Sequence, residues 1–170
     1  IAKQESIEFS ANEISEVRAK LVRQVVQGAF VSTLDARDIT KLEKSYGAIL
    51  ADVPCTGLGA LRRRPEVRWR RTVADLKTLV VLQAEIIDAA VKVLQPGGIF
   101  GYATCSPHLS ETRIAVSEAL KRHPEMEVVD VSEYLHPDLR TTGVDRGSMT
   151  LWTHRHNTDA MFLSVLRKKN

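Results

Sequence analysis

The stretch AILADVPC at residues 48–55 decides the fold of this chain. Its apolar part, residues 48–53, stops at Pro54, and a cysteine follows directly. A short apolar run that ends at a proline is typical of a buried strand followed by a turn. We therefore predict a buried strand over residues 48–53, with Asp52 and Cys55 at its carboxyl end.

Strands and helices alternate on both sides of this stretch. A helix with apolar residues at helical spacing is predicted before Gly28, and another from Ser110 to Pro124. Further strands are predicted over residues 7–11, 30–34, 99–103, 126–131 and 161–166. This alternation favours a mainly parallel sheet covered by helices on both faces, the doubly wound α/β class. With 170 residues, we expect one domain over residues 1–170.

The longest predicted helix follows an arginine-rich loop. Thr72 is suited to cap its start, and Pro96-Gly97-Gly98 ends it. The residues expected to face inward are Val73, Leu76, Val80, Ile87, Val91 and Leu94.

Composition limits the class of protein. Two cysteines do not make a disulfide scaffold, and no run approaches the roughly 18 apolar residues that a membrane span needs. We expect a soluble protein of a reducing compartment, the cytoplasm. The sequence starts at Ile1 without an initiator Met, which is typical of a fragment of a longer protein.

Both cysteines follow predicted strands, Cys55 after residues 48–53 and Cys105 after residues 99–103. A single cysteine is more often a small buried side chain than a nucleophile. These two, however, are separated by one strand-helix-strand unit, which can bring their turns side by side at the ligand-binding edge of a sheet. There is no Cys-x-x-Cys, and His154 and His156 do not give a zinc spacing, so we predict no metal site.

Three acidic residues also follow predicted strands. Asp52 could hydrogen-bond or protonate a ring nitrogen if it were buried, and a simple turn before Pro54 is an equal alternative. Glu13 and Asp35 end strands of a nucleotide-binding type of unit, where an acid accepts hydrogen bonds from ribose hydroxyls.

Residues 61–71, here called the arginine segment, concentrate positive charge in a chain whose net charge is only +3. Arginines with an aromatic residue suit phosphate contacts and stacking on an unpaired base. The alternative is a solvated loop with structural ion pairs. The candidate RNA-binding residues are Arg62, Arg63, Arg64, Arg68, Trp69, Arg70 and Arg71.

These motifs together resemble a known family. The stretches DVPCTGLG at residues 52–59 and YATCS at 102–106, with the arginine segment between them, are similar to RNA cytosine-5 methyltransferases, and within them to the Sun/Fmu branch that acts on ribosomal RNA. The likeness also includes residues 11–15, 35–38 and 156–162, and so spans nearly the whole chain.

The resemblance implies a Rossmann-like class I methyltransferase sheet and S-adenosyl-L-methionine as cofactor. It implies that Cys105 adds to carbon 6 of a flipped-out cytosine in RNA, with 16S ribosomal RNA as the expected substrate, and that Cys55 helps to resolve the adduct. Asp52 would stabilise the protonated ring nitrogen. Glu13 would bind the cofactor ribose and Asp35 the adenine amino group. Asp52 and Pro54 are also assigned to the cofactor, and the arginine segment to RNA.

One departure from the family concerns its first strand and glycine-rich cofactor loop, which would stand just upstream of Ile1. That strand is central in the family's sheet, so we expect two unpaired strand edges and little or no methyl transfer by these 170 residues alone. The alternative is a non-catalytic RNA-binding fragment. An amino-group methyltransferase fits poorly, because Cys55 stands where those enzymes carry an aromatic residue. Asn157 replaces a usual Gly, from which we expect no change of activity.

Overall fold

The computed structural model describes residues 8–145 and 147–170, in two compact units that divide between Glu43 and Lys44. Ile7, the first residue of the strand predicted over residues 7–11, lies outside the described residues. The expectation of one domain over residues 1–170, made from chain length, stays a prediction.

The first unit contains a parallel pair of short strands, β1 (Ser10–Asn12) and β2 (Phe30–Ser32). Helix α1 (Glu16–Val25) connects them, and a 3-10 helix (Ala36–Leu42) follows β2. Side chains reinforce the pairing, because Ser32 Oγ donates to Asn12 Oδ1 at 2.8 Å and Asn12 Nδ2 donates to the Leu34 carbonyl at 3.0 Å. The carboxyl ends of β1 and β2 therefore lie side by side.

The second unit contains a six-stranded sheet. Its strands are β3 (Tyr46–Asp52), β4 (Leu94–Thr104), β5 (Met126–Val129), β6 (Val144–Asp145), β7 (Ser148–Leu151) and β8 (Met161–Lys168). The order is β3-β4-β8-β7-β6, and β5 also pairs with β8. Only β3 and β4 pair in parallel. The prediction of a mainly parallel sheet is wrong here, because β8 runs antiparallel between β4 on one side and β5 and β7 on the other.

The helices of this unit are α2 (Val67–Arg70), α3 (Val73–Val93), α4 (Arg113–Arg122), α5 (Pro137–Thr142) and α6 (Thr153–His156). Short 3-10 helices span Leu58–Ala60, Leu109–Glu111 and Ser132–Tyr134. The core face of the sheet carries Phe100, Tyr102, Phe162 and Leu166, all buried.

Helix α3 begins as predicted. Thr72 Oγ1 accepts from the Asp75 backbone N–H, and the Asp75 carboxylate accepts from the Thr72 backbone N–H, which is a capping box. Ile87 and Val91 are buried as expected, but Val73, the first residue of the helix, is 71% exposed. The helix ends at Val93, so the Pro-Gly-Gly motif lies inside the assigned strand β4.

The prediction that residues 48–53 form a buried strand is only half right. A strand is present, and Val53 directly after it is buried, but no residue of β3 itself is buried, and Leu50 is 74% exposed. Within residues 8–145 and 147–170, β3 has a strand partner only on its β4 side, and β1 only in β2. A strand with one open edge buries less of its surface than a central strand.

Candidate active site

The two cysteines meet at the carboxyl ends of β3 and β4. The strands are parallel with Asp52 opposite Ala103, and the Val53 N–H donates to the Ala103 carbonyl at 3.0 Å. The chain then turns after each strand, and Cys55 Sγ lies 3.3 Å from Cys105 Sγ. Both thiols are free and half-buried. The structure thus places the only two cysteines in direct contact; we call this pair, with Thr56, Ser106 and Glu111, the thiol site.

The Glu111 side chain links the two turns that carry the cysteines. Its side chain is fully buried. Oε1 accepts from the Thr56 backbone N–H at 2.8 Å, and Oε2 accepts from Thr56 Oγ1 at 2.5 Å and from Ser106 Oγ at 2.6 Å. Because Thr56 follows Cys55 and Ser106 follows Cys105, one carboxylate holds the residue beside each thiol.

Gln83 and Tyr102 extend this network into the core. Gln83 Nε2 donates to Glu111 Oε1 at 3.1 Å and to the Pro54 carbonyl at 2.8 Å. The Tyr102 hydroxyl donates to the Glu111 carbonyl at 2.8 Å and lies 3.2 Å from Gln83 Oε1. Both side chains are fully buried, and burial raises the pKa of Tyr102. The turns are therefore fixed from the helix α3 side as well as by Glu111.

Gly59 braces the turns through its backbone. Its N–H donates to the Cys105 carbonyl at 2.9 Å, and its carbonyl accepts from the Ala160 N–H at 2.9 Å. A Cβ at this position would overlap the Ala160 carbonyl oxygen and lie 2.7 Å from the Cys105 carbonyl oxygen. Only glycine allows three backbone segments to approach so closely.

The contact between the thiols separates their acidities. The hydrogen bond from Cys105 lowers the pKa of Cys55 to about 6, with further help from the Thr104 hydroxyl and the Gly57 N–H, against the opposing effect of burial. The same hydrogen bond, burial and the charges of Cys55 and Asp52 raise the pKa of Cys105. Such a pair titrates as a unit. The directions of the two pKa shifts favour the thiolate on Cys55 and the proton on Cys105.

Asp52 and Pro54 flank this pair. Asp52 is exposed at the end of β3, so the burial that it would need to protonate a ring nitrogen is absent from the structure. Its carboxylate is near enough to raise the pKa of Cys105. Pro54 is exposed, and its carbonyl is held by Gln83.

The arginine segment consists of a turn over residues 61–66, helix α2 and Arg71, and all its arginines are exposed. Arg63 forms an ion pair with the buried Asp159, which lowers the pKa of that carboxyl group. Arg71 Nε donates to the Thr56 carbonyl at 3.2 Å, which ties the segment to the Cys55 turn.

The other members of the segment make weaker contacts. Arg62 Nη1 lies 3.4 Å from Asn157 Oδ1, and Arg64 Nε lies 3.6 Å from Glu66 Oε1. The Arg68 guanidinium lies 5.2 Å from the centre of the Trp69 ring, and Trp69 is 79% exposed. The structural ion-pair interpretation therefore applies to Arg63 and, more weakly, to Arg64, whereas Arg68, Trp69 and Arg70 present exposed cationic and aromatic groups.

The two remaining acidic candidates, Glu13 and Asp35, follow the carboxyl ends of β1 and β2 in the first unit. The Glu13 N–H donates to the Ser32 carbonyl at 3.1 Å, so Glu13 follows β1 directly beside the end of β2. Its carboxylate accepts from the Ser15 N–H at 2.8 Å and from Arg18. Arg37 holds the pKa of Asp35 down at about 2. Both groups are therefore charged acceptors, which fits the hydroxyl and amino donors of a ribose and an adenine.

Glu111 and Gln83 were missed in the sequence. Gln83 had a signal: it lies three residues after Val80 and four before Ile87, on the stripe predicted to face inward. A polar residue there needs buried partners. Glu111 had none, because an acidic residue near the start of a helix is ordinarily exposed.

Metal-binding clusters and membrane-spanning helices are both absent from the described part of the chain. Within residues 8–145 and 147–170, no group of three or more His, Cys, Asp or Glu side chains is placed to hold a metal ion. Over the same residues, none of the helices has the length and apolar character that crossing a bilayer requires.

The chain is similar in sequence to known methyltransferases. A protein of Mycobacterium tuberculosis named as a methyltransferase, without a stated substrate, is 48% identical over 161 residues, which are 94% of this chain and 35% of that protein. Ribosomal RNA small subunit methyltransferase B of Yersinia pseudotuberculosis is 31% identical over 166 residues, 96% of this chain and 36% of that protein. The chain thus spans roughly a third of the length of these curated relatives.

A solved structure supports the fold. NSun6 from Pyrococcus horikoshii, crystallised with SFG, an analogue of S-adenosylmethionine, superposes with a TM-score of 0.78 at 24% identity, over 96% of this chain and 42% of that one. The expected α/β, Rossmann-like class I methyltransferase fold is confirmed, without the full sheet of that class. The family model described as 16S rRNA methyltransferase RsmB/F matches residues 2–167. The chain therefore belongs to the RsmB/F family of S-adenosylmethionine-dependent 16S rRNA methyltransferases.

Proposed function

We propose that this protein methylates carbon 5 of cytosine in RNA, with Cys105 as the nucleophile and Cys55 as the thiol that resolves the adduct. The observation that carries the proposal is the 3.3 Å contact between the two Sγ atoms. Small-subunit ribosomal RNA is the proposed substrate, since the family and the Yersinia relative are named for it.

The chemistry explains why a thiol is needed. Carbon 5 of cytosine is a poor nucleophile until another group has added to carbon 6. In the proposed addition, the Cys105 Sγ–C6 bond forms, the C5=C6 π electrons move toward C5, and the Cys105 proton passes to the Cys55 thiolate 3.3 Å away. The ring nitrogen takes a proton from solvent as the π electrons move and gives it back when C5 takes the methyl group, and Asp52, exposed at the end of β3, hydrogen-bonds that nitrogen while it is protonated. S-adenosylmethionine supplies the methyl group that C5 takes.

Release reverses the addition. C5 loses its proton to solvent, the C5=C6 double bond forms again, and the S–C6 bond breaks with its electrons returning to Cys105. Cys55 then returns its proton to the departing Cys105 sulfur, which restores the resting pair. The two thiols therefore have separate roles, since Cys105 makes and breaks the bond to carbon and Cys55 stores the proton between the two steps.

The arginine segment is proposed to bind the RNA. Arg68 and Arg70 are exposed cations suited to phosphates, and Trp69 offers a ring face to an unpaired base. Arg62, Arg63, Arg64 and Arg71 lie in the same segment, where Arg63 and Arg71 also hold the loop to Asp159 and Thr56.

For the cofactor, we propose that Glu13 accepts from the ribose hydroxyls and Asp35 from the adenine amino group. Both are charged acceptors that follow the carboxyl ends of the paired strands β1 and β2 in the first unit. Asp52 and Pro54, in the second unit, are assigned to the cofactor by resemblance alone. Two free thiols fit a reducing compartment, and we infer a cytoplasmic location.

The proposal is tested by Cys55→Ala in the full-length protein, incubated with RNA and S-adenosylmethionine. Without Cys55, solvent can still take the Cys105 proton during addition, but the thiol that returns a proton to the departing Cys105 sulfur is lost, so release is slowed more than addition. We expect a covalent protein–RNA adduct on denaturing gels.

Cys105→Ala is the matched control and should give no adduct, alone or combined with Cys55→Ala. RNA binding without an adduct in the Cys55→Ala protein would contradict the mechanism. That result would favour the alternative, a non-catalytic RNA-binding chain.

A further inference from the structure

We propose that Glu111 is a positioning residue that holds the two thiols in contact, so that proton exchange between Cys55 and Cys105 depends on it. The relevance to methyl transfer rests on the proposed function, but the positioning itself is a property of the chain.

The geometry places Glu111 at the junction of three segments. It ends the 3-10 helix Leu109–Glu111, beyond the Cys105 turn. Its carboxylate reaches Thr56 on the first turn, Ser106 on the second turn and Gln83 on α3. No covalent link joins the two cysteine turns directly, since Cys55 and Cys105 are free. The spacing of the two Sγ atoms is therefore set by the groups that hold the neighbouring residues.

The donor set explains why a carboxylate is used. Its four hydrogen bonds come from a backbone N–H, two hydroxyl groups and an amide, which are all neutral. An ionised carboxylate accepts at both oxygens, so it satisfies all four donors at once. Glutamine at this position would keep much of the junction, because its NH₂ group can face the Thr56 and Ser106 hydroxyls, which also accept hydrogen bonds. Leucine has a similar size and no acceptor, so Glu111→Leu breaks the junction without leaving a large cavity.

Charge and position have opposite effects on Cys55, which makes them separable. The negative charge of Glu111 by itself raises the pKa of Cys55, whereas the hydrogen bond from Cys105 lowers it by more. If Glu111 acted only as a charge, its removal would lower the pKa of Cys55. If it positions the turns, its removal loses the hydrogen bond and raises that pKa. Asp52, Tyr102 and Arg63 also interact electrostatically with the thiols.

The experiment is the pH profile of Cys55 alkylation by iodoacetamide, with the modified cysteine identified by mass spectrometry in the full 170-residue chain. The unchanged chain should show a midpoint near pH 6, the pKa of Cys55 beside Cys105. Glu111→Leu should move the midpoint toward the free-thiol value of about 8.5, with alkylation at pH 7 slower by on the order of tenfold. Glu118→Leu, at an exposed residue of α4, is the matched control and should leave the profile unchanged.

Ser106→Ala removes one of the four hydrogen bonds, and it serves as the test if Glu111→Leu does not fold. It should raise the midpoint by a smaller amount. A folded Glu111→Leu or Ser106→Ala chain, judged by circular dichroism, with an unchanged or lowered midpoint would overturn the inference. The measurement uses neither RNA nor cofactor. A raised midpoint together with no RNA adduct in the Cys55→Ala protein would therefore uphold the positioning role and reject the proposed function.

Discussion

The thiol site and the arginine segment are two parts of one unit built in opposite ways. In the thiol site, neutral donors surround one buried carboxylate, and hydrogen bonds of 2.5 to 3.1 Å fix both turns. In the arginine segment, every cation is exposed, and Arg68 contacts chiefly the ring of Trp69. Bond-making atoms need a fixed separation, whereas an anionic substrate can supply the missing partners of exposed cations.

This difference predicts where substitutions will act. Changes in the thiol site should appear in the free energy of unfolding and in thiol chemistry, without RNA. Changes at Arg68 and Arg70, which are exposed, should leave folding unaltered and appear only when RNA is added.

The largest effect on folding is expected for Gly59→Ala. The new Cβ overlaps the Ala160 carbonyl oxygen and crowds the Cys105 carbonyl oxygen, and neither backbone atom can move without breaking the brace. We expect the free energy of unfolding to fall by about 3 kcal/mol, at the upper end of overpacking effects. Urea denaturation measures it.

Gly47→Ala is the control for that experiment, because a Cβ there meets only Gln95 Oε1 at an ordinary 3.6 Å. Equal stability of the two variants would show that the three backbone segments are not braced at Gly59.

A smaller loss is expected for Tyr102→Phe. The change deletes the hydroxyl that donates to the Glu111 carbonyl and leaves that buried acceptor without its donor. We expect a cost of about 1 to 2 kcal/mol in the free energy of unfolding, measured by thermal or urea denaturation. Tyr134→Phe serves for comparison and should cost almost nothing, since Tyr134 is 77% exposed. A stability of Tyr102→Phe equal to that of Tyr134→Phe would mean that the hydroxyl does not support the thiol site.

Much of the thiol site followed from local sequence signals. The proline after residues 48–53 and the strand over residues 99–103 placed both cysteines at strand ends, and one strand-helix-strand unit was enough to bring them together. Thr72 at the start of α3 was also readable, because a capping box is formed by residues three apart.

The remainder depends on contacts between residues far apart in the chain. Glu111 is buried because Thr56, 55 residues away, and Gln83, 28 residues away, supply its donors, and no local pattern encodes that pairing. Leu50 is exposed although its neighbours are apolar, because exposure depends on which strands and helices pack against β3. The antiparallel insertion of β8 is likewise set by its neighbours β4, β5 and β7.

The smallest effect on the folded chain, and the one that best isolates the arginine segment, is expected for Arg68→Ala and Arg70→Ala. Each removes an exposed cation, so thermal stability should not change, and affinity for single-stranded RNA should fall several-fold. The slope of log affinity against log salt concentration should flatten by roughly 0.7 for each lost phosphate contact, as measured by fluorescence anisotropy at several salt concentrations. Lys121→Ala, an exposed cation of α4, controls for net charge and should leave the slope unchanged. Arg63→Ala should differ from both, because it also leaves the buried Asp159 without its cation and so lowers stability. If Arg68→Ala and Arg70→Ala instead lowered stability and left the salt slope unaltered, these arginines would belong to the framework, and the contrast between the two regions would fail.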